Sequence, residues 1–332
     1  MRRSAVSRPN VYVTRKVPEQ ALEILRSVAS VTVWDREDVP PPREVILREL
    51  AQAEGVFSLL TDRIDAEVMA AAPRLKVVSN FAVGYDNIDI PAATKRGIVV
   101  THTPDVLTET VADFTVCLML AAARRLVEAD RYTRDGKWKT WEPLLLAGQD
   151  IHHATLGLIG LGRIGAAVAR RAQGFGMRVL YYDVVRREDL ERSLSIAYLS
   201  LDDVLRDSDV ISVHVPLSEH TRHLMGRAQF ALMKNTAVFV NTSRGPVVDQ
   251  RALAEALASR RIFAAGIDVF EQEPVSPDDP LLKLDNAIVV PHIASASIPT
   301  RIRMATLAAE NLVAVLQGKR PPNPVNPEVL AK

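Results

Sequence analysis

The stretch from Leu156 to Arg170, LGLIGLGRIGAAVAR, decides how the rest of the chain is read. An apolar run ends in Gly160, and Gly162 and Gly165 complete a G-x-G-x-x-G spacing that opens into IGAAVARRAQG. In a strand, turn and helix of this kind the first glycine permits the tight turn, the second lets backbone approach a pyrophosphate, and the third lets helix and strand pack closely. The first amides of the helix have no partner inside it and carry the positive end of its dipole, so they suit phosphate oxygens. Such a turn usually follows the first strand of a nucleotide-binding domain. Here it begins only at Leu156, and the long stretch before it needs a reading of its own.

The strand after the glycine helix, MRVLYYD, ends in Asp183, 18 residues beyond Gly165. An acid near that distance accepts hydrogen bonds from the adenine ribose and repels a 2′-phosphate. NAD is therefore the expected cofactor, with NADP the alternative because Arg186 and Arg187 come next.

Upstream, the β-branched runs VYVT, VTVW, GVFSLL, LKVVSN and GIVVT alternate with segments such as PEQALEILRSVA, whose apolar positions recur at three and four. That rhythm predicts strand, helix, strand, and a mostly parallel sheet covered on both faces. After THTPD the pattern predicts one long helix over ETVADFTVCLMLAAARRLVEADRYTRDG. Beyond the glycines, MRVLYYD, DVISVHVPL, AVFVNTS, FAAGIDVF and AIVVPH predict a second parallel sheet. The fold class is α/β, with two doubly wound parallel-sheet domains. The last helical segment, TRIRMATLAAENLVAVLQG, has no strand after it to feed and is expected to return to the first domain.

Open parallel sheets bind ligands outside the carboxyl ends of their strands. Three charged residues stand just past three late strands: Arg244 after AVFVNTS, Glu273 after GIDVFEQ and His292 after AIVVP. Singly, an arginine in a turn, an acid before proline and a histidine at a strand end are ordinary. Together they suit reduction of a 2-keto acid. Arginine's planar fork can hold the substrate carboxylate or carbonyl. A histidine can supply the proton that the carbonyl oxygen needs, and an acid on its other nitrogen orients the ring.

The remaining composition is ordinary. With 41 basic and 40 acidic side chains the 332-residue chain carries +1, which recruits neither nucleic acid nor anionic lipid. The single cysteine, Cys117, excludes an internal disulfide and is expected in the core, in a reducing compartment. MRRSAVSRPN lacks the apolar core of a secretory signal, and no apolar run reaches membrane-spanning length, so the cytoplasm is the expected location. The seven histidines show no metal-ligand spacing, and no metal is expected.

The blocks GLIGLGRIG, VNTSRGPVVD, AAGIDVFEQEP and VVPHIAS resemble those of the D-isomer-specific 2-hydroxyacid dehydrogenase family. NFAVGYDNID, GIVVTHTPDVLTETVAD and DGKW resemble its glyoxylate and hydroxypyruvate reductase branch. The resemblance implies a flavodoxin-like substrate domain made from both chain ends, residues 1–104 and 293–332. A Rossmann coenzyme domain, residues 105–292, is inserted between them, with a hinged cleft where the two meet. It implies Arg244, Glu273 and His292 as the catalytic set, and substrate-carboxylate binding by the amides of Val83 and Gly84. Leu161, Gly162, Arg163 and Ile164 would cover the pyrophosphate, with Gly160 and Gly165 shaping the turn and Asp183 on the ribose. Pro216, Thr242 and Asp268 would line the nicotinamide, and Thr108 its carboxamide. It further implies a homodimer in which an aromatic residue of the arm, Trp141 or alternatively Trp138, reaches the partner's substrate. Ala294 stands where many relatives have glycine, a departure bearing on the backbone beside the nicotinamide.

Other readings remain open at this level. A phosphite-oxidising relative would carry lysine in place of Val83, and a formate dehydrogenase an amide in place of Glu273. A D-2-hydroxyacid dehydrogenase acting on another keto acid is the alternative that a substrate panel separates, and a nucleotide-sensing corepressor-like protein of the same fold is the one that turnover of a keto acid separates.

Overall fold

A computed structural model describes residues 8–331. The start of MRRSAVSRPN, which lacks a secretory signal's apolar core, lies outside the described residues. The chain divides into two compact units, Met1–Leu107 with Ser297–Lys332, and Thr108–Ala296. The boundaries fall at Leu107 and Ser297 rather than at 104 and 293.

The first unit holds β1 (Asn10–Val13), β2 (Ser30–Val33), β3 (Gly55–Ser58), β4 (Val77–Asn80) and β5 (Val99–Thr101). They form a parallel sheet in the order β2-β1-β3-β4-β5. Residues of β3, β4 and β5 are buried along their whole length, as strands covered on both faces must be, whereas edge strand β2 alternates exposed and half-buried positions. The helix Ile298–Leu316 closes this unit. Ser297 caps it through a bond from the Thr300 amide, and Ser79 Oγ donates to its Ala308 carbonyl at 2.7 Å. The expected return of the last helix is therefore observed.

The second unit holds β6 (Thr155–Ile159), β7 (Arg178–Tyr182), β8 (Ala197–Tyr198), β9 (Val210–Val213), β10 (Val238–Asn241), β11 (Ala264–Ile267) and β12 (Ala287–Val289). All pair in parallel, in the order β12-β11-β10-β9-β6-β7-β8. Successive side chains of a strand point to opposite faces. Leu156, Leu158, Val210, Val238 and Val240 thus join one core, while Ile159, Ile211, Val213 and Phe239 join the other. The strand order reverses between β6 and β9, where the glycine turn leaves the sheet.

Two expectations are corrected here. The single long helix after THTPD is two, Thr108–Ala123 and Leu126–Arg134, because Arg125 takes a left-handed backbone (φ 51°) and its guanidinium holds Glu128 at 2.7 Å. Cys117 is exposed rather than in the core. The 3.6-residue period places it one turn from exposed Asp113, while Val116, Leu118 and Met119 face inward.

Candidate active site

The site is assembled from turns at the carboxyl ends of β6, β7 and β9 to β12. Gly160 leaves β6 at φ +98°, and a Cβ there would lie 2.8 Å from the His214 backbone. A Cβ on Gly165 would lie 2.3 Å from the Gly160 carbonyl, so turn and helix require both glycines. Gly162 differs, since a Cβ there would meet nothing within 4 Å. It caps the helix Arg163–Gln173, offers no side chain to the first amides, and leaves open space over them. Those amides and that space fit a dinucleotide pyrophosphate. Leu161 is buried beneath the turn, Ile164 is half-buried and Arg163 opens the helix.

Asp183 is tied to the same turn. Its Oδ2 accepts from the Leu161 amide at 2.6 Å and its Oδ1 from Val185 at 3.3 Å, which leaves lone pairs for ribose hydroxyls. Arg186 is engaged by Glu191 at 2.8 Å and Arg187 by Asp189 at 2.9 Å, so both guanidinium groups next to Asp183 have partners within the chain. Burial raises the Tyr181 hydroxyl to about 12, and it donates to Glu191 at 2.7 Å, which fixes that carboxylate beneath Arg186.

The three charged residues meet. His292 Nδ1 lies 2.7 Å from Glu273 Oε2, with both side chains about three-quarters buried. The other Glu273 oxygen accepts from the Phe270 amide at 3.0 Å. Burial alone would raise the Glu273 carboxyl, but the hydrogen bond and charge of His292, the Phe270 amide and the charge of Arg244 hold it below its usual range. His292 has a left-handed backbone, φ 53°, a conformation that costs energy in a non-glycine residue and that recurs at functional sites. Its amide donates to the Asp268 carbonyl at 2.9 Å. The buried Asp268 carboxylate accepts from Ile293 and Ala294 at 2.6 and 3.0 Å, and burial raises its pKa against those bonds. Ala294 is not among the left-handed residues, so its methyl group is accommodated without strain.

Arg244 emerges from β10 in extended backbone, its carbonyl held by Asn241 Nδ2 at 3.0 Å and its Nη1 donating to the Ser243 carbonyl at 2.8 Å. Thr242 is buried beside it and shares a 2.9 Å bond with Thr115 Oγ1. The Pro216 carbonyl accepts from Thr221 Oγ1 at 2.6 Å, and Thr108 opens the helix Thr108–Ala123. In the first unit, the carbonyls of Val83 and Gly84 accept from His102 Nδ1 at 2.8 Å and Asn80 Nδ2 at 2.9 Å, which fixes that turn. Trp141 is not brought to these residues. It is 77% exposed, and Trp138 is 59% exposed with its Nε1 donating to the Thr140 carbonyl.

Sequence reasoning missed His214 at the end of β9. Burial pushes its imidazole down to about 4, so it is neutral at physiological pH, and Nε2 lies 2.9 Å from Ser212 Oγ. Its own amide donates to the Ile159 carbonyl at 2.7 Å, beside the glycine turn. The signal was available in the histidine of VHVPL, which comes directly after a strand neighbouring the fingerprint strand.

No group of three or more His, Cys, Asp or Glu suited to a metal occurs among the described residues, and no described helix is long and apolar enough to cross a membrane. The family model described as "D-isomer specific 2-hydroxyacid dehydrogenase, NAD binding domain" matches residues 116–294. The chain is 56% identical over 324 residues to a glyoxylate reductase of Korarchaeum cryptofilum, covering 97% of each. Among solved structures it is similar to the TT0316 protein of Thermus thermophilus, at 48% identity and a TM-score of 0.89 over 95% of this chain and 99% of that one. It is also similar to an NADPH-dependent glyoxylate/hydroxypyruvate reductase of Sinorhizobium meliloti solved with NADP and malonate. There the identity is 34% and the TM-score 0.83, over 96% of this chain and 97% of that one. A dinucleotide turn, an acid-paired histidine and these relatives lead to one conclusion: the chain belongs to the D-isomer specific 2-hydroxyacid dehydrogenase family and is an NAD(P)-dependent oxidoreductase.

Proposed function

We propose that this protein reduces glyoxylate to glycolate, or hydroxypyruvate to D-glycerate, with NADH as its preferred cofactor. The observation that carries the reading is the 2.7 Å bond between His292 and Glu273, with the charge of Arg244 acting on the same carboxylate. When bound, the dihydronicotinamide supplies hydride to the carbonyl carbon. His292 gives its proton to the carbonyl oxygen as charge builds there. Glu273 fixes the ring through Nδ1, which leaves Nε2 as the donor toward substrate. Arg244 binds and polarises the substrate, and the amides of Val83 and Gly84 take its carboxylate. Gly160, Gly162, Gly165 and the amides from Leu161 to Ile164 serve the pyrophosphate, while Pro216, Thr242, Asp268 and Thr108 serve the nicotinamide.

A panel of glyoxylate, hydroxypyruvate, pyruvate and phenylpyruvate, each with NADH and NADPH, tests the reading. The two small keto acids are expected to give the highest kcat/KM. Asp183 beside the ribose, with Arg186 and Arg187 held by other acids, should favour NADH by about tenfold or more, the equivalent of roughly 1.4 kcal/mol. Asp183→Ser should raise the relative use of NADPH. Equal efficiency with both cofactors in the wild type removes the Asp183 assignment. Absence of turnover on all four acids removes the enzymatic reading in favour of a binding protein.

The cytoplasm is the proposed compartment and a homodimer the proposed assembly. Four large apolar side chains within one short stretch of sequence, Leu126, Trp138, Trp141 and Leu144, are 61%, 59%, 77% and 82% exposed, which supports a covering partner. A partner subunit covering them would bring Trp141 to the other copy's substrate. Sedimentation at micromolar concentration is expected to give a dimer, and a stable monomer would remove the proposal.

A further inference from the structure

A polar clamp sits behind the catalytic turns, on residues that the reaction itself does not use. Gln250 is the first residue of the helix Gln250–Ala258, and Glu271 lies two residues before Glu273. Their side chains and backbones are reciprocally bonded. Gln250 Oε1 accepts from the Glu271 amide at 2.9 Å, and Glu271 Oε1 accepts from the Gln250 amide at 3.0 Å. Each half has an outer support. Gln250 Nε2 donates to Asp279 Oδ2 at 2.5 Å, and His223 Nε2 lies 3.0 Å from Glu271 Oε1. The His223 amide also donates to the Pro246 carbonyl at 2.8 Å, which ties the same cluster to the turn after Arg244.

The clamp acts on the two consecutive peptide units that flank Phe270. The Phe270 amide holds Glu273 Oε1, the Phe270 carbonyl abuts Gly245, and the next amide, that of Glu271, is the one that Gln250 grips. Fixing the second of these peptides restrains Phe270, and with it both the amide that holds the carboxylate orienting His292 and the carbonyl against the turn that presents Arg244. We infer that Gln250 and Glu271 are positioning residues that hold the Glu273 turn and the Arg244 turn in register. The inference rests on the proposed keto-acid reduction for the consequence in turnover, but not for the geometry it predicts.

The test compares Gln250→Leu, which keeps the bulk and loses both polar atoms, with Glu271→Ala and Glu271→Gln in the full chain. Gln250→Leu and Glu271→Ala are each expected to lower kcat for glyoxylate on the order of tenfold while NADH affinity stays unchanged, because small misplacements of reacting groups are costly. Glu271→Gln keeps an acceptor for the Gln250 amide and should recover most of the loss. In a double-mutant cycle, Gln250→Leu should cost much less when Glu273 is already glutamine, a coupling that general loosening of the fold would not produce. A second readout is independent of turnover. The short His292–Glu273 bond should give the wild type a downfield imidazole proton resonance that shifts upfield in Glu273→Gln, and this signal should weaken or broaden in Gln250→Leu and Glu271→Ala. If the wild type reduced no keto acid and the two variants still weakened that signal, the positioning role would stand and the functional reading would fall. A wild-type resonance in both variants, or full additivity in the cycle, overturns the inference, and having two separate variants keeps it open to refutation should one fail to fold.

Discussion

His292→Ala is expected to abolish most keto-acid reduction, by about 10²- to 10⁴-fold in kcat, the usual contribution of a positioned general acid. NADH binding should survive, because the glycine turn and Asp183 stand on other strands than the histidine. Glu273→Gln should be milder. An amide can still accept from Nδ1 and hold the ring, but it no longer supplies the negative charge. The sign of the pH effect comes from the pair. The bond and charge of His292 hold Glu273 below its usual range, against burial, so the carboxylate keeps its charge well into the acid range. Reduction should therefore fall only as pH drops through that lowered value and Glu273 takes a proton, and Glu273→Gln, which has no such proton to take, should lose this acid limb. Arg244→Lys is the control, since it loses the planar fork and should raise KM without moving the limb. An acid limb that persists unchanged in Glu273→Gln would break the proposed coupling even if both residues proved essential.

The left-handed backbone at His292 has the same purpose. A β12 that ended in relaxed extended backbone would carry the imidazole elsewhere. Here the His292 amide is captured by the Asp268 carbonyl while the Asp268 carboxylate takes the next two amides. Three bonds to one residue of β11's turn thus offset the cost of an unfavourable φ. The strain is local, and its product is an imidazole aimed at Glu273.

Much of this was legible in the sequence because parallel sheets write their site at strand ends. Five apolar runs before the glycine fingerprint, the run that carries it and five after it became strands, and the residues just beyond the later runs include Arg244, Glu273 and His292. The features that escaped had weaker signals. β8 is two residues long, too short for any period to register. The helix break at Arg125 carries neither glycine nor proline, and depends on a guanidinium folding back onto Glu128. The exposure of Cys117 needed the phase of its helix rather than the apolarity of its neighbours. Burial of His214 and the clamp at Gln250 depend on contacts between segments far apart in sequence, which periodicity within one segment does not encode.

Gly245→Ala is expected to be among the most damaging single changes in the second unit, although Gly245 has no side chain to take part in chemistry. A Cβ there would lie 1.8 Å from the Phe270 carbonyl oxygen and 2.5 Å from the Glu271 nitrogen, well inside contact distance. The obstacle is backbone, so no rotamer change relieves it, and the two turns must separate. Separation strips the Arg244 turn from the Glu273 turn and breaks the Phe270 amide's hold on the carboxylate. Overpacking against a fixed backbone costs on the order of 3 kcal/mol or more. For a unit of this size that corresponds to a fall in Tm of roughly 6 to 12 °C. Turnover should fall by about 10²-fold or more, because Arg244, proposed to polarise the substrate, and Glu273, proposed to orient the acid, are displaced together. Calorimetry and steady-state kinetics on the same preparation check the two arms. NADH binding should persist through the glycine turn of β6, which distinguishes local parting of the turns from collapse of the unit. A variant with unchanged Tm and turnover would mean that the turns part easily, and that their contact does not set the geometry of the site.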